Sequence, residues 1–239
     1  MASEDKQPQG ISRMFGRIAR RYDRLNRIMS LGMDGRWRQL AAASAKPDGS
    51  LALDIGTGTG DFAVELTKRG ARQIVGADFS PEMLTAARAK LAANGVTNAS
   101  WTLADALHLP FREGTFDCVT NAFVLRNLAD LKAGLTEMAR VLQPGGRLVC
   151  LDMTQPPPGI VGALYKLYFY RLLPPIAGVL SGDRAAYRYL PNSLVGFPDS
   201  ASLAELLAAI GLAEVQVRKL AGGTVAMHTA VKPPAEGPS

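Results

Sequence analysis

The run Leu53-Asp54-Ile55-Gly56-Thr57-Gly58-Thr59-Gly60-Asp61 sets three glycines and two carboxylates into one short turn. Glycine lets backbone approach a ligand where a side chain would collide. Such a turn at the end of an apolar run is how a doubly wound α/β sheet grips a nucleotide-like ligand. A dinucleotide site asks for G-x-G-x-x-G and leaves a helix N-terminus free for an anionic pyrophosphate. Here the spacing is G-x-G-x-G, and Asp61 stands where the third glycine would fall. With Asp54 at the strand end, the turn carries two acids where a phosphate needs none. It suits a cation. S-adenosyl-L-methionine, with a sulfonium, an ammonium, an adenosine and no phosphate, meets that requirement.

Asp78 ends the next apolar run (Ile74-Val75-Gly76-Ala77), twenty residues beyond Gly58, where an acid can accept both ribose hydroxyls. Phe79 follows it and joins the candidate cofactor contacts. The third expected strand ends Leu103-Ala104-Asp105-Ala106. Asp105 is expected to bond the adenine amino group, with Ala106 leaving room for the ring. The segment Thr120 to Asn127 follows the fourth strand and should lie between cofactor and acceptor. It supplies Asn121 to the cofactor set and Arg126 and Asn127 as catalytic candidates. The pattern Asn/Asp-Pro-Pro-aromatic, used on exocyclic amino groups of bases, is absent there. Neither cysteine follows a proline, as a cytosine-carbon nucleophile would. Nucleic acid is therefore disfavoured as the acceptor.

Alternating patterns place these residues on elements. Strands are expected at 51–55, 73–77, 99–104, 116–121 and 146–153, with helices at 61–69, 81–94 and 130–142. Ser80-Pro81 opens a helix, and Pro144-Gly145-Gly146 turns the chain into a strand. A helix at 199–210 and strands at 213–219 and 223–231 complete a seven-stranded, mostly parallel sheet with an antiparallel C-terminal hairpin. Four zones follow: basic N-terminal helices at 1–46, a cofactor-binding core at 49–155, an apolar segment at 156–197, and a C-terminal helix and hairpin at 198–232.

The chain has 239 residues, 47% of them apolar, enough for a single large domain. Cys118 and Cys150 fall in separate expected strands and read as buried thiols of a reducing compartment. Two distant cysteines and two histidines, His108 and His228, make no metal site. No signal peptide or spanning segment is read, so the cytoplasm is the expected location. Residues 1–40 hold nine Lys/Arg and four Asp/Glu, and so carry five of the six net positive charges.

Several motifs outside the glycine turn match one family in order. They are Tyr22-Asp23-Arg24-Leu25-Asn26, Met29-Ser30-Leu31-Gly32, Arg36-Trp37-Arg38, Leu109-Pro110-Phe111, Leu125-Arg126-Asn127 and Arg140-Val141-Leu142-Gln143-Pro144-Gly145-Gly146. Beyond them come Tyr187-Arg188-Tyr189-Leu190, Ser193, Phe197-Pro198 and Gly222-Gly223 with His228. The chain resembles the quinone-biosynthesis C-methyltransferases acting on demethylmenaquinol and, in some members, on the ubiquinone precursor. The resemblance spans residues 12 to 232. It implies a Rossmann-like class I methyltransferase fold and cofactor contacts at Thr59, Asp78, Asp105 and Ala106. The chain departs from it at Asp34 (commonly His), Ala122 (often Ser) and Val124 (commonly Gly), the last expected to narrow the acceptor pocket.

The implied reaction moves methyl from sulfonium to an aromatic ring carbon of a reduced polyprenyl quinol. Such a carbon is nucleophilic only in an electron-rich ring, so a base or a cation stabilising the phenolate is required. Arg126 and Asn127 are the candidates for the latter, with Tyr187, Tyr189 and His228 in reserve. Tyr22 is a candidate to close over the methionine end of the cofactor. The arginine-rich N-terminus and the apolar zone 159–180 would meet the inner face of the membrane that holds the acceptor. The resemblance thus implies conversion of demethylmenaquinol to menaquinol in menaquinone biosynthesis. A bifunctional or ubiquinone-branch quinol methyltransferase, a methyltransferase for another phenolic small molecule, and a non-catalytic cofactor- or RNA-binding module are the alternatives.

Overall fold

Period-two alternation sorts the core into two layers on opposite faces of one sheet. In β1 (Leu51–Ile55), Leu53 and Ile55 face one layer and Ala52 the other. In β5 (Leu142–Met153), Leu148 and Cys150 alternate in the same way with Val149 and Leu151. The computed structural model describes residues 23–24, 26–172 and 193–234. The other strands are β2 (Gln73–Asp78), β3 (Ala99–Leu103), β4 (Phe116–Ala122), β6 (Ala213–Leu220) and β7 (Val225–Val231), in the order β3-β2-β1-β4-β5-β7-β6. The first five pair in parallel, and β7 runs antiparallel between β5 and β6.

Helices cover both faces. On one lie α1 (Asp34–Ala45) and α2 (Asp61–Lys68), which bury Trp37, Ala41, Phe62 and Leu66, with Leu91 of α3 (Pro81–Ala93). On the other lie α4 (Leu131–Val141) and, near the C-terminus, the helix Ser200–Ala209, which bury Leu135, Met138, Leu203 and Leu207. Each large apolar side chain so buried contributes about 1.5–3 kcal/mol. Ser80 caps α3 by accepting from the Met83 N–H at 3.3 Å, and Asp130 caps α4 through the Ala133 N–H at 2.9 Å.

Two strand boundaries differ from the sequence reading by more than one residue. β5 begins at Leu142 rather than 146, because Leu142 pairs with Phe116 and a bulge in β5, where residues 143–146 stand opposite Asp117 alone, absorbs the turn. Gly145 and Gly146 pair across with Lys232, which keeps Pro144 compatible with the strand. β7 begins at Val225 rather than 223, since Gly222 and Gly223 take positive φ in a short 3-10 turn.

Between α4 and the C-terminal helix the chain forms α5 (Ile160–Lys166), which continues as a π-helical turn over Leu167–Leu172. The Tyr168 hydroxyl ties it to the N-terminal segment, donating to Ile28 O at 3.2 Å. The order of β1, β2 and β3 runs one way and β4 lies on the other side of β1. The reversal opens a crevice above the C-terminal ends of β1 and β4, where doubly wound sheets take ligands.

Candidate functional site

Gly56, Gly58 and Gly60 carry the chain from β1 into α2 with φ of 60°, 54° and 86°. Asp78 at the end of β2 holds this turn, its two oxygens accepting from the Gly58 N–H at 2.8 Å and the Ser80 N–H at 2.9 Å. Burial raises its pKa to about 6, against the pull of those backbone donors. Above the turn lies a first cavity of about 120 Å³, lined by Gly56, Gly58, Asp78, Phe79, Asp105, Ala106, Val124 and Asn127 among others. Its walls are mostly apolar, and among the described residues no lysine or arginine lines it. Asp105 is exposed at the rim, where it accepts from the Leu107 N–H at 2.9 Å.

A smaller polar cavity opens on the other side of the turn. Asp54 reaches it from the end of β1, its oxygens accepting from the hydroxyls of Thr57 at 2.7 Å and Thr120 at 3.0 Å. Burial pushes the Asp54 carboxyl up to about 7, partly offset by those hydroxyls and by Arg38. Thr59 lines the same cavity. Its hydroxyl donates to Asp23 at 2.5 Å and accepts from Lys90 Nζ at 2.9 Å. Lys90 also meets Asp23 at 2.5 Å and Asp61 at 2.6 Å. The negative charge that Asp61 brings to the turn is thus answered within the protein by Lys90. Asp54 is the acid of the pair left facing the cavity without a cationic hydrogen-bond partner among the described residues.

A second large cavity, of about 260 Å³, lies beyond Phe123. The N-terminal segment supplies Met29, Leu31 and Met33, α1 supplies Asp34 and Trp37, and the helical insertion supplies Tyr165 and Tyr168. Met153 and Val225 close its floor, and Arg126 borders it. Phe123 lines both this cavity and the first. Its backbone sits at φ 62°, and its ring lies 5.4 Å from the Arg38 guanidinium carbon and 5.6 Å from that of Arg126. Each arginine is buried against a carboxylate, Arg38 on Asp34 at 2.6 Å and Arg126 on Asp152 at 2.5 Å.

The two catalytic candidates part company here: Arg126 borders the second cavity and Asn127 the first. Asn121 stands apart from both. Its amide donates to Cys150 Sγ at 3.1 Å and lies near Met138 Sδ, inside the core under β4. Strand alternation gives the pocket to Ala122 instead. Tyr22, Tyr187 and Tyr189 lie outside the described residues. His228 is buried on β7 with Nε2 2.8 Å from Ser200 O, and burial lowers its pKa, as suits a structural imidazole. Sequence reasoning gave no role to Arg38, Lys90 or Phe123. Arg38 stood in a family motif, whereas Lys90 looks like any helix-surface lysine.

Residues 1–232 match the ubiE/COQ5 methyltransferase family. The chain belongs to that family. A demethylmenaquinone methyltransferase of Deinococcus radiodurans is 46% identical over 227 residues, 93% of each chain. One from Thermus thermophilus is 46% identical over 222 residues, 92% of this chain and all of the other. A ubiquinone/menaquinone biosynthesis C-methyltransferase of Desulfotalea psychrophila is 40% identical, covering 93% and 90% of the two chains. Among solved structures, a SAM-dependent methyltransferase from Aquifex aeolicus superposes with TM-score 0.61 at 17% identity, over 88% of this chain and 97% of the other. The [4+2]-cyclase SpnF superposes with TM-score 0.67 at 18% identity, over 96% and 97%. A cyclase on this fold shows that the fold alone does not name the reaction.

The methyl donor of this methyltransferase is S-adenosylmethionine. The residues present fit it. Among the described residues the first cavity is lined by two carboxylates and no basic side chain, which suits a nucleoside without phosphate. At Gly56 a Cβ would run into the Val124 side chain, so only glycine lets the turn pack directly against this residue of the cavity wall. Asp78, Asp105 and Ala106 would hold the adenosine, and Asp54 would face the ammonium of the amino-acid end.

Proposed function

We propose that the chain methylates a ring carbon of demethylmenaquinol. The observation that carries this reading is the second cavity: it is apolar and aromatic, and it shares the Phe123 wall with the donor cavity. A bicyclic quinol could lie there against Trp37, Tyr165 and Met153. The relatives named demethylmenaquinone methyltransferases, alike over nine-tenths of the chain, favour the naphthoquinol over other phenols.

Bound in the first cavity, S-adenosylmethionine supplies an electrophilic methyl group on its sulfonium sulfur. The protein's share is to activate and align the ring. Arg126, fixed by Asp152, offers a cation beside the acceptor and so stabilises the quinolate oxygen that makes the ring carbon nucleophilic. Asn127 borders the donor cavity and orients from that side. Phe123, Met29 and the two tyrosines exclude water. Holding both reactants in line can supply about 7–11 kcal/mol of the barrier reduction.

The polyprenyl tail needs a way out towards lipid. Ile160 is 80% exposed and Leu31 72%, and Leu164 and Leu167 are exposed too, beside residues that line the second cavity. No helix among the described residues is long and apolar enough to cross a membrane. In this reading the insertion acts as a lid that rests on the bilayer surface, helped by the basic N-terminus, and the tail leaves between them.

The test incubates the protein with methyl-labelled donor and each reduced demethyl quinol, and counts label in the lipid phase. Transfer to demethylmenaquinol above all other acceptors is expected. Transfer only to a demethyl benzoquinol, or to no quinol, would overturn the proposal.

A further inference from the structure

The polar cavity beside the glycine turn has a charge pattern that the adenosine contacts do not explain. It is lined by Arg38, Asp54, Thr57, Thr59 and Asp61, and it shares Gly56, Gly58 and Ala122 with the first cavity. It is therefore the side branch of the donor cavity that runs under α1. Arg38 is the one basic side chain among its described lining residues. Resting on the reading of the first cavity as the donor site, we infer that Arg38 is the site for the carboxylate of the methyl donor.

The end of that donor away from adenine is an α-amino acid, with one ammonium and one carboxylate on the same carbon. Asp54 matches the ammonium, and the carboxylate needs a cation nearby. Lys90 is engaged by Asp23, Asp61 and Thr59, and Arg126 borders the other cavity with Asp152. Arg38 is only 6% exposed, yet it borders the branch and lies near enough to Asp54 to favour its ionised form. A guanidinium has five N–H donors in a planar fork. Among the described residues Arg38 hydrogen-bonds Asp34 through Nη1 alone. The ion pair grips one edge of the fork and the Phe123 ring lies across its face, so the remaining donors are held in place before a ligand arrives. A pre-oriented fork beside a carboxylate is the arrangement that receives an amino-acid zwitterion.

The test compares two ligands by calorimetry on the full chain: S-adenosylmethionine and its decarboxylated analogue, which keeps the adenosine, sulfonium and amine. A charge-assisted hydrogen bond predicts that the wild type prefers the carboxylate-bearing ligand by about tenfold to a hundredfold. Arg38→Met strands Asp34, so Arg38→Met/Asp34→Asn is made beside it to keep the fold. In that double variant the preference should collapse to about onefold, with affinity for the decarboxylated ligand within about twofold of wild type. Arg38→Lys should retain part of the preference. A merely structural arginine would weaken both ligands together, and that result overturns the inference, as does equal wild-type affinity for the two. Binding of neither ligand to the wild type would instead bring down the donor reading on which the inference rests.

Discussion

Gly56→Ala tests the glycine turn where its geometry is least forgiving. The new methyl would overlap the Val124 Cγ2 and lie 3.1 Å from its Cγ1 and 3.3 Å from its Cβ. Two costs add. A left-handed backbone costs an L-residue roughly 1–2 kcal/mol, since φ is 60° here. Forcing a methyl into filled space costs roughly 1–3 kcal/mol more. The sum, about 2–5 kcal/mol, corresponds to a fall in Tm of about 4–20 °C for a chain of this size. Val124→Gly in the same chain removes the overlap and leaves the backbone cost. A double-mutant cycle in urea should therefore return a favourable coupling of about 1–3 kcal/mol. Coupling below about 0.5 kcal/mol would mean that the two side chains do not meet, and the account of the turn would be wrong. Val124→Gly alone should also widen the donor cavity, which it lines.

Three further predictions concern the charged groups. Asp78→Ala removes the acceptor of two backbone N–H groups and a donor-cavity wall, so S-adenosylmethionine binding should fall more than about tenfold by calorimetry; unchanged affinity would displace the ribose site. Breaking the Arg126–Asp152 pair from one side should cost about 3–5 kcal/mol in denaturant unfolding. The paired change Arg126→Met/Asp152→Asn should recover most of that stability and keep donor binding while methyl transfer slows, and an undiminished rate would remove Arg126 from the mechanism. Burial raises Asp54 to about 7 and Asp78 to about 6 from 3.8, so the folded, ligand-free protein keeps protons that the unfolded chain has released. The stability they lend is complete below pH about 3.8 and is lost as pH climbs through the two folded values. Donor binding, which favours the ionised carboxylates, should tighten from about pH 5.5 to about 7.5 with proton release, seen by calorimetry in buffers of different ionisation enthalpy; affinity that is flat across this range would contradict the assignment.

The parallel sheet and its glycine turn were legible because local patterns decide them: strand alternation, a Ser-Pro helix start, and an acid at the end of the second strand. Asp78 could be found by spacing, but its bond to the Gly58 backbone depends on how β1 and β2 lie side by side. Asn121 went astray for a simple reason. Nearness to a strand end does not say which way a side chain points, and alternation turns it towards Met138 and Cys150. The clasp of Asp23, Thr59, Asp61 and Lys90 joins three distant stretches of chain, so no local pattern betrays it. Phe123 was hidden as well, because an aromatic at positive φ is rare enough that no sequence rule would place one there.

That residue carries a thermodynamic consequence. One ring closes both cavities, so any movement it makes to admit one reactant changes the space and contacts offered to the other. Heterotropic linkage then obeys reciprocity: whatever factor the donor imposes on acceptor affinity, the acceptor must impose on the donor. A partition built from a single strained residue makes the two reactants each other's effectors.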